Sequence, residues 1–470
     1  MIKVRLNDGY YRLDVHSLIR AFYPACDIDF ISEYEDEADY NIIIDDENIT
    51  INSCKSAISN VASNKRNAVK KLVYRYLSKE TNTKLPWGDL TGVRPTKAPL
   101  EMLLSGSKCE DAIEFMKDEY LVSDEKAHLA TQIAHSQLDI IKNASKDCYS
   151  IYIGIPFCPS RCMYCSFTSY PISAYEKNIK EYLDCLIKEL EFIADSLKDK
   201  KLLSVYIGGG TPTSLDEASY EYLLSNIRRI LNFTFVREFN VEAGRADSIT
   251  PGKLESALRY GVSRISINPQ TMNDKTLKTI GRHHSAKQVV EGFNLARSMG
   301  FDNINMDIIA GLFSEGIEEI NNTLNAISEL RPDSLTVHSL AVKRAALLDV
   351  KDDIYKSVCI DQMPQILSMC SECAYKMNMA PYYMYRQKNI AGNLENVGYS
   401  LPHKEGIYNI FMMEDVHNVI GAGAGAASKV LFGNGKIKRA VNVKDVALYI
   451  SRISEMIDKK RKLLEEIKWL

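Results

Sequence analysis

Tyr152-Ile-Gly-Ile-Pro-Phe-Cys158-Pro-Ser-Arg-Cys162-Met-Tyr-Cys165-Ser-Phe167 sets three cysteines at C-x3-C-x2-C spacing, directly after an apolar, strand-like run. Thiolates bind soft metals and iron–sulfur clusters, and a cubane [4Fe–4S] cluster has four irons to ligate. Three thiolates from one short loop hold three irons and leave the fourth open to an external ligand, much as a catalytic zinc keeps one position free. Two blander readings stand beside this one. A structural zinc site would need a fourth ligand from far away, such as Cys185 or His283. A chance group of buried cysteines is the other, since cysteine is a common core residue.

Outward from that loop, strand-like and helical patterns alternate from about residue 146 to 340. Strands are expected at Tyr149–Ile155, Leu203–Ile207, Glu238–Glu242, Arg264–Asn268, Asn303–Ile309 and Ser334–Leu340. Helices are expected at Tyr175–Lys198, Ser219–Leu231, Thr250–Tyr260, near Asn273–Ile280, at Ala286–Met299 and at Ile317–Leu330. Such alternation predicts an α/β fold with a parallel sheet and right-handed crossovers. Functional side chains should then gather at the C-terminal ends of the strands. Gly208-Gly-Gly-Thr-Pro-Thr213, Glu242, Gln270, Arg282 and Asp307 all lie at or just after those ends. Glycines there let a backbone approach a ligand and present N–H groups, and Glu242 could accept from ribose hydroxyls. Taken singly, each of these residues also reads as a cap, a salt bridge or a solvated loop.

The loop and the strand-end motifs together resemble the radical S-adenosylmethionine (SAM) enzymes. The resemblance is strongest to the coproporphyrinogen dehydrogenase-like branch, which holds HemN-type oxidases, HemW-type haem chaperones and HemZ-type proteins. Ile155-Pro-Phe-Cys, Gly208-Gly-Gly-Thr-Pro-Thr, Asn240-Val-Glu-Ala, Arg264-Ile-Ser-Ile-Asn-Pro-Gln-Thr and Asn305-Met-Asp-Ile-Ile-Ala-Gly-Leu carry it. It implies a radical SAM partial (β/α)6 barrel, a small α+β N-terminal domain and a C-terminal substrate-covering domain. By position it implies Cys158, Cys162 and Cys165 as cluster ligands, with Tyr152, Tyr164, Gly209 and Glu242 on the cluster-bound SAM. Gly210, Thr211, Gln270, Arg282 and Asp307 match positions that hold a second SAM in HemN-type enzymes. Phe167 is a departure: HemN-type enzymes carry a further cysteine there, while HemW-type chaperones carry Phe.

Composition sets wider bounds. A chain of 470 residues is too long for one ordinary core, and 46% hydrophobic with 25% charged residues is globular usage. A net charge of −3 gives no electrostatic case for nucleic acid or a membrane surface. No apolar run reaches the length of a spanning helix, and Met1-Ile-Lys-Val-Arg-Leu reads as a strand and not a signal peptide. Eleven cysteines without secretory context point to a reducing, cytoplasmic setting.

Residues 1–145 read as an α+β accessory domain, with strands at Met1–Leu6, Tyr40–Asp45 and Asn48–Asn52 and a helix at Lys65–Glu80. Further helices are expected at Pro99–Leu104, Cys109–Lys117 and Ser123–Ile141, and the acidic run Glu33–Asp39 reads as a solvated loop. Leu85–Lys97 is an ordered loop in which Arg94 and Lys97 either bind an anion or are exposed charges on a turn. With its Thr-Gly-Val-Arg-Pro-Thr-Lys segment, this region resembles the N-terminal extension of HemZ-type proteins. The central domain is expected over 146–340 and a C-terminal HemN-like domain over 341–470. There, Tyr383, Tyr385, Arg386 and Gln387 could stack on a tetrapyrrole and pair its propionates, or the tyrosines could be core. Cys370 and Cys373 are read as buried or incidental thiols or as a redox or metal pair, His403 and His417 as haem-ligand candidates, and Val446–Leu470 as one amphipathic helix.

The resemblance implies oxygen-independent decarboxylation of coproporphyrinogen III propionates to vinyl groups, with a [4Fe–4S] cluster and one or two SAM molecules as cofactors. A HemW-type haem chaperone and a radical SAM methyltransferase acting on haem are the alternatives. Expected partners are a porphyrinogen or haem and an electron donor such as flavodoxin or ferredoxin. Neither nucleic acid nor membrane is expected, and the chain is expected to be a monomer.

Overall fold

The computed structural model describes the chain except residues 25, 33–36, 60, 146, 342–357, 388–393, 433–435 and 468–470. The first half of the acidic run at 33–39 and the end of the last expected helix therefore lie outside the described residues. The chain divides into two compact units, one of residues 1–138 with 384–389 and one of 139–383 with 390–470.

In unit one a five-stranded sheet of β1 (Ile2–Leu6), β2 (Ile28–Phe30), β3 (Tyr40–Ile44), β4 (Asn48–Ile51) and β5 (Cys54–Ala57) runs in the order β2-β1-β3-β4-β5. Helices α1 (Arg12–Phe22) and α2 (Lys65–Thr81) bury Val15, Leu18, Ile19, Val69, Val73 and Leu77 in one core with Val4, Ile42 and Ile49. Asn64 starts α2 by accepting from the Asn67 N–H, and left-handed Asn82 ends it. Helices α3 (Lys97–Leu104), α4 (Cys109–Tyr120) and α5 (Asp124–Lys142) follow.

Unit two holds the expected alternation. Its parallel strands are β6 (Cys148–Ile155), then, past the short parallel pair β7 (Phe157–Cys158) and β8 (Tyr170–Pro171), β9 (Lys201–Gly209), β10 (Glu238–Glu242), β11 (Arg264–Ser266), β12 (Ile304–Ala310) and β13 (Ser334–Ser339). The intervening helices are α6 (Ile179–Ser196), α7 (Glu217–Ile230), α8 (Pro251–Arg259), α9 (Asp274–Thr279), α10 (Ala286–Ser298) and α11 (Ile317–Leu330). Most elements match expectation to within two residues. The start of α6 does not, because Tyr175–Asn178 forms short 3-10 turns ahead of it.

The C-terminal segment enters the same sheet at both edges. After α12 (Met363–Lys376), β14 (Ala380–Tyr385) and β15 (Asn396–Ser400) extend it beyond β13. After α13 (Ile407–Glu414), β16 (Asn418–Ala422), β17 (Ala427–Leu431) and β18 (Ile437–Val441) extend it beyond β6. The result is an open eleven-stranded sheet, β14-β15-β13-β12-β11-β10-β9-β6-β16-β17-β18, with the six βα strands in sequence order at its centre. The single expected C-terminal helix is two, α14 (Val446–Ser451) and α15 (Ile453–Glu465), parted at Arg452.

The two faces of the central strands differ in chemistry. Side chains alternate along a strand. One face carries Ile151, Ile153, Val205, Ile207, Phe239, Val241, Met306 and Ile308, all buried. The other carries Ser150, Tyr152, Ser204, Tyr206, Glu238, Glu242, Arg264, Asn305, Asp307, Ser334, Thr336 and His338. Direct contacts join successive members of that polar row, among them Ser204–Ser150 at 2.7 Å, Arg264–Ser334 at 2.7 Å and Ser334–Asn305 at 3.0 Å. Parallel strands covered on both faces usually read as continuous apolar runs. The polar face of these strands departs from that pattern and forms a hydrogen-bonded layer.

Candidate functional site

The cysteine loop leaves the C-terminal end of β6 and is held by segments that follow β10 and β11. Buried Arg245, after β10, pairs with Asp247 at 2.7 Å and donates to Ser160 Oγ at 2.7 Å. Ser160 Oγ in turn donates to the Gly281 carbonyl at 2.9 Å, and the Met163 N–H donates to the Ile280 carbonyl at 3.1 Å. Burial works against the Asp247 charge, yet His284 and Arg245 hold its carboxyl well below the usual range. Arg282 is buried; its guanidinium donates to the carbonyls of Asn268 at 2.5 Å and Gly244 at 3.1 Å, and its charge acts on neighbouring Tyr164 and Cys162. Tyr164 packs on Leu277, Ile280, Leu312 and Phe313.

Cys158 Sγ lies 3.4 Å from Thr211 Oγ1, and Cys165 Sγ lies 3.9 Å from Ser169 Oγ. All eleven cysteines are free. Burial pushes the Cys158 thiol up to about 11. Among the described residues no three His, Cys, Asp or Glu side chains converge as ligands of a single ion. Thiolates that each serve a different iron need not converge so closely. Three soft donors on one braced loop, beside an acceptor-lined pocket, fit a cluster with an open iron and a SAM held against it.

That pocket is built by Gly208–Gly210, Glu242 and three tyrosines. Tyr152 stacks on Tyr206 at 6.0 Å, and Tyr206 on Tyr408 at 4.4 Å. The Tyr206 hydroxyl donates to Glu242 Oε1. Burial pushes the Glu242 carboxyl up to about 7; the Tyr206 hydrogen bond opposes this and the Asp307 charge adds to it. A Cβ on Gly208 would stand 2.9 Å from the Glu242 carboxyl, so the glycine makes room for that side chain. Gly209 has φ +106° and faces the Tyr152 hydroxyl. Gly210 lies against the Ile155 and Phe157 carbonyls, with its N–H on Ile155 O at 2.7 Å and the Thr211 N–H on Phe157 O at 2.7 Å. These contacts tie the glycine turn to the strand that carries Cys158.

Beyond Glu242, Gln270 takes φ +67° and bridges to β12, where its N–H meets the Asp307 carbonyl at 3.0 Å. The buried side-chain oxygens of Asn240, Asn268 and Gln270 find no hydrogen-bond partner among the described residues. Asp307 accepts from Asn305 Nδ2 at 2.7 Å and lies 3.6 Å from His338 Nε2; burial opposes its charge, but these neighbours keep its carboxyl below the usual range. A cavity of about 620 Å³ lies at the other, N-terminal end of the strands, lined by Arg237, Phe239 and Ser263 among others, and takes no part in this site.

Unit two thus brings together Cys158, Cys162, Cys165, Tyr152, Tyr164, Gly209, Gly210, Thr211, Glu242, Gln270, Arg282 and Asp307 at one end of one sheet. Tyr383 also lies here, its hydroxyl 3.5 Å from Thr336 Oγ1. Arg386 belongs to unit one, where its guanidinium donates to the Leu90 carbonyl at 2.5 Å and lies over Trp87; half-buried Tyr385 and Gln387 flank it. His417 is buried against Phe411 at 4.2 Å and pushed down to about 4 by burial, so it is a neutral core residue; His403 is exposed. Cys370 and Cys373 are buried on α12, and Cys373 Sγ lies 3.1 Å from Ser328 Oγ. Sequence reading passes over Ser160, Tyr206, Arg245, Asp247, His338 and the stacking of Tyr408. The signal for Tyr206 and His338 is the polar alternation Ser204-x-Tyr206 and Ser334-x-Thr336-x-His338 on strands with apolar partners.

The sequence profile of the radical SAM superfamily matches residues 152–327. The oxygen-independent coproporphyrinogen-III oxidase-like protein HemZ of Bacillus subtilis is 42% identical over 408 residues, 86% of this chain and 81% of that protein. The heme chaperone HemW of the same organism is 36% identical over 195 residues, 41% of this chain and 51% of that protein. Among solved structures, coproporphyrinogen III oxidase HemN of Escherichia coli, described there as a radical SAM enzyme, superposes with TM-score 0.50 at 20% identity, over 68% of this chain and 72% of that one. At that identity the likeness speaks to the fold.

Proposed function

This chain belongs to the radical SAM coproporphyrinogen-III oxidase-like family, in its HemZ-type branch, and from that premise we propose that it decarboxylates the propionates of coproporphyrinogen III without oxygen. The family implies a [4Fe–4S] cluster and SAM; when bound, they supply the 5′-deoxyadenosyl radical that takes a hydrogen atom from the substrate. Cys158, Cys162 and Cys165 would hold the cluster. Tyr152, Tyr164, Gly209 and Glu242 would hold SAM. Gly210, Thr211, Gln270, Arg282 and Asp307 shape the space beyond, where substrate or a second SAM would lie. On the substrate, a propionate gives up a hydrogen atom and CO₂, passes one electron to an external one-electron acceptor, and becomes a vinyl group. Two rounds give protoporphyrinogen IX. An electron carrier such as flavodoxin or ferredoxin would serve the reduction, and a cytoplasmic setting suits an oxygen-sensitive centre.

The observation that carries the reading is the Glu242 pocket, tied through the glycine turn to the strand bearing Cys158. Within it the chain's residues have separable tasks. Glu242 accepts from hydroxyls, and Tyr206 fixes its orientation. The tyrosine stack and the polar row exclude bulk water from one wall, which strengthens every polar contact there. The Arg245–Asp247 and Arg282 contacts keep the cysteine loop in register with the pocket. None of the described helices is long and apolar enough to cross a membrane.

One observation favours a second reading. Phe167 stands where HemN-type enzymes carry a further cysteine, and it is 68% exposed. An exposed aromatic beside the cysteine loop would suit a haem chaperone that keeps the cluster without turnover. The two part in an anaerobic incubation of reconstituted protein with reductant, SAM and coproporphyrinogen III, followed by mass spectrometry. Stepwise loss of CO₂ matched to 5′-deoxyadenosine is expected. Tight haem binding with unaltered porphyrinogen would move the assignment to the chaperone.

A further inference from the structure

Arg245 is a buried cation fixed at both ends. It is 2% exposed and follows Glu242 by three residues. Its guanidinium forks onto Asp247, Nε to Oδ1 at 3.0 Å and Nη2 to Oδ2 at 2.7 Å. The remaining nitrogen, Nη1, is turned to Ser160 and reaches its Oγ at 2.7 Å and its carbonyl at 3.4 Å. The Arg245 carbonyl accepts from Ser248 Oγ at 2.7 Å, which anchors the backbone from which the side chain leaves. Ser160 stands midway between Cys158 and Cys162 and passes the contact on, its Oγ donating to the Gly281 carbonyl at 2.9 Å.

Holding a loop in place does not by itself call for a charge. Taking an ion pair out of water costs more than its mutual attraction commonly returns, and a neutral donor would hold Ser160 as well. The orientation of the pair gives the charge a use. Asp247 takes the Nε–Nη2 edge of the guanidinium and Ser160 takes Nη1, so the pair turns its positive end to the cysteine loop. A guanidinium keeps its charge at every working pH. A cluster on three thiolates gains negative charge when it is reduced, and net charge and nearby hydrogen bonds set its potential. In a buried setting, a fixed positive end beside the ligand loop favours the reduced form.

We infer that Arg245 is a positioning residue that sets the reduction potential of the cluster, by turning the positive end of the buried Arg245–Asp247 pair onto the loop that carries the three ligands. This rests on the cluster reading above and adds to the bracing of the loop a charge whose sign can be tested. Asp247 orients the guanidinium and offsets part of its field.

The test is an anaerobic redox titration of the reconstituted full chain, without SAM, followed by the electron paramagnetic resonance signal of the reduced cluster and compared at equal iron content. Arg245→Met removes the charge and keeps the bulk. It should shift the reduction equilibrium on the order of tenfold toward the oxidised form, which is about 59 mV more negative for a one-electron couple. Asp247→Asn leaves the positive charge without its counter-ion and should shift the potential the opposite way. Arg245→Lys keeps the charge without the fork and should stay nearer to wild type than Arg245→Met. A brace that only holds the loop is weakened by either loss, so shifts of one sign in Arg245→Met and Asp247→Asn, or no shift in either, would overturn the tuning role alone. If Arg245→Met takes up no iron, Asp247→Asn decides: a less negative potential supports the role, and an unchanged or more negative one overturns it. A wild-type chain that forms no cluster on reconstitution would overturn the cluster reading and this inference with it.

Discussion

Glu189 and Glu242 are both glutamates of unit two with interior side chains, and they are treated in opposite ways. Glu189, on α6, is fully enclosed and accepts from four groups: the Gly423 N–H at 2.8 Å, Asn442 at 2.8 Å, Tyr449 at 2.6 Å and Lys460 at 2.5 Å. Lys460 also donates to Asn442 Oδ1 at 2.7 Å. The network ties α15 to the Gly421–Ala426 stretch, whose Gly423 lies against the Gly154 carbonyl of β6. Its purpose is met within the protein. Glu242 has the Tyr206 hydroxyl and the Gly209 N–H, a carboxylate neighbour instead of a cation, and an acidity pushed up to about 7. A buried carboxylate that the fold satisfies is scaffold. One that the fold leaves short of donors is poised for a ligand that brings them.

The largest way to separate the two regions is at the cysteines. Cys162→Ala should abolish the iron–sulfur absorbance and SAM cleavage, while the Glu189 region keeps the apo chain folded, as circular dichroism would show. Normal iron content with undiminished deoxyadenosine formation would remove the cluster from this loop. Next, Lys460→Met should cost about 3–5 kcal/mol in denaturant unfolding, because it leaves Glu189 buried and unpaired. The double change Glu189→Gln with Lys460→Met should recover much of that loss. A single variant as stable as wild type would place no weight on this network.

Glu242→Gln should do the reverse and stabilise the apo protein. The folded carboxyl is raised to about 7 from an ordinary value near 4.5. The folded state therefore holds its proton longer than the unfolded chain. The stability this gives is present below about pH 4.5 and is lost as pH rises through about 7, a change of about 3 kcal/mol at most. Glu242→Gln should flatten that part of the pH–stability curve and melt higher than wild type at pH 8. The smallest effect expected is that of Tyr408→Phe, which keeps the ring stack and should change stability by about 1 kcal/mol or less. Tyr408→Ala should cost about 3–5 kcal/mol, and thermal melts of the pair would tell ring from hydroxyl.

Much of unit two was legible because its signals are local. The cysteine spacing, the apolar runs of β6, β9 and β12 and the glycine turn each declare themselves within ten residues. Glu238–Glu242 is a strand with the expected limits. Other features are not local. Tyr206 and Tyr408 meet from distant parts of the chain, and α13 is placed by Glu238, which accepts from the Ile407 N–H at 2.7 Å and the Tyr408 N–H at 3.2 Å. Neither pairing has a short-range trace. The strand β2 has three residues, too few for alternation to show, and in α1 His16 and Arg20 dilute the apolar stripe of Val15, Leu18 and Ile19. No Gly or Pro marks the break between α14 and α15 at Arg452.

Glu242 is the proposed receiver of SAM beside the cysteine loop. Calorimetric titration of SAM into anaerobically reconstituted wild-type protein and Glu242→Gln, at equal iron content, tests this most directly. Wild type should bind with a clear saturating isotherm, and Glu242→Gln should bind weaker by roughly 10- to 100-fold, the worth of hydrogen bonds to a charged acceptor. Equal affinity in the two proteins would contradict the account and leave Glu242 as an unexplained buried acid.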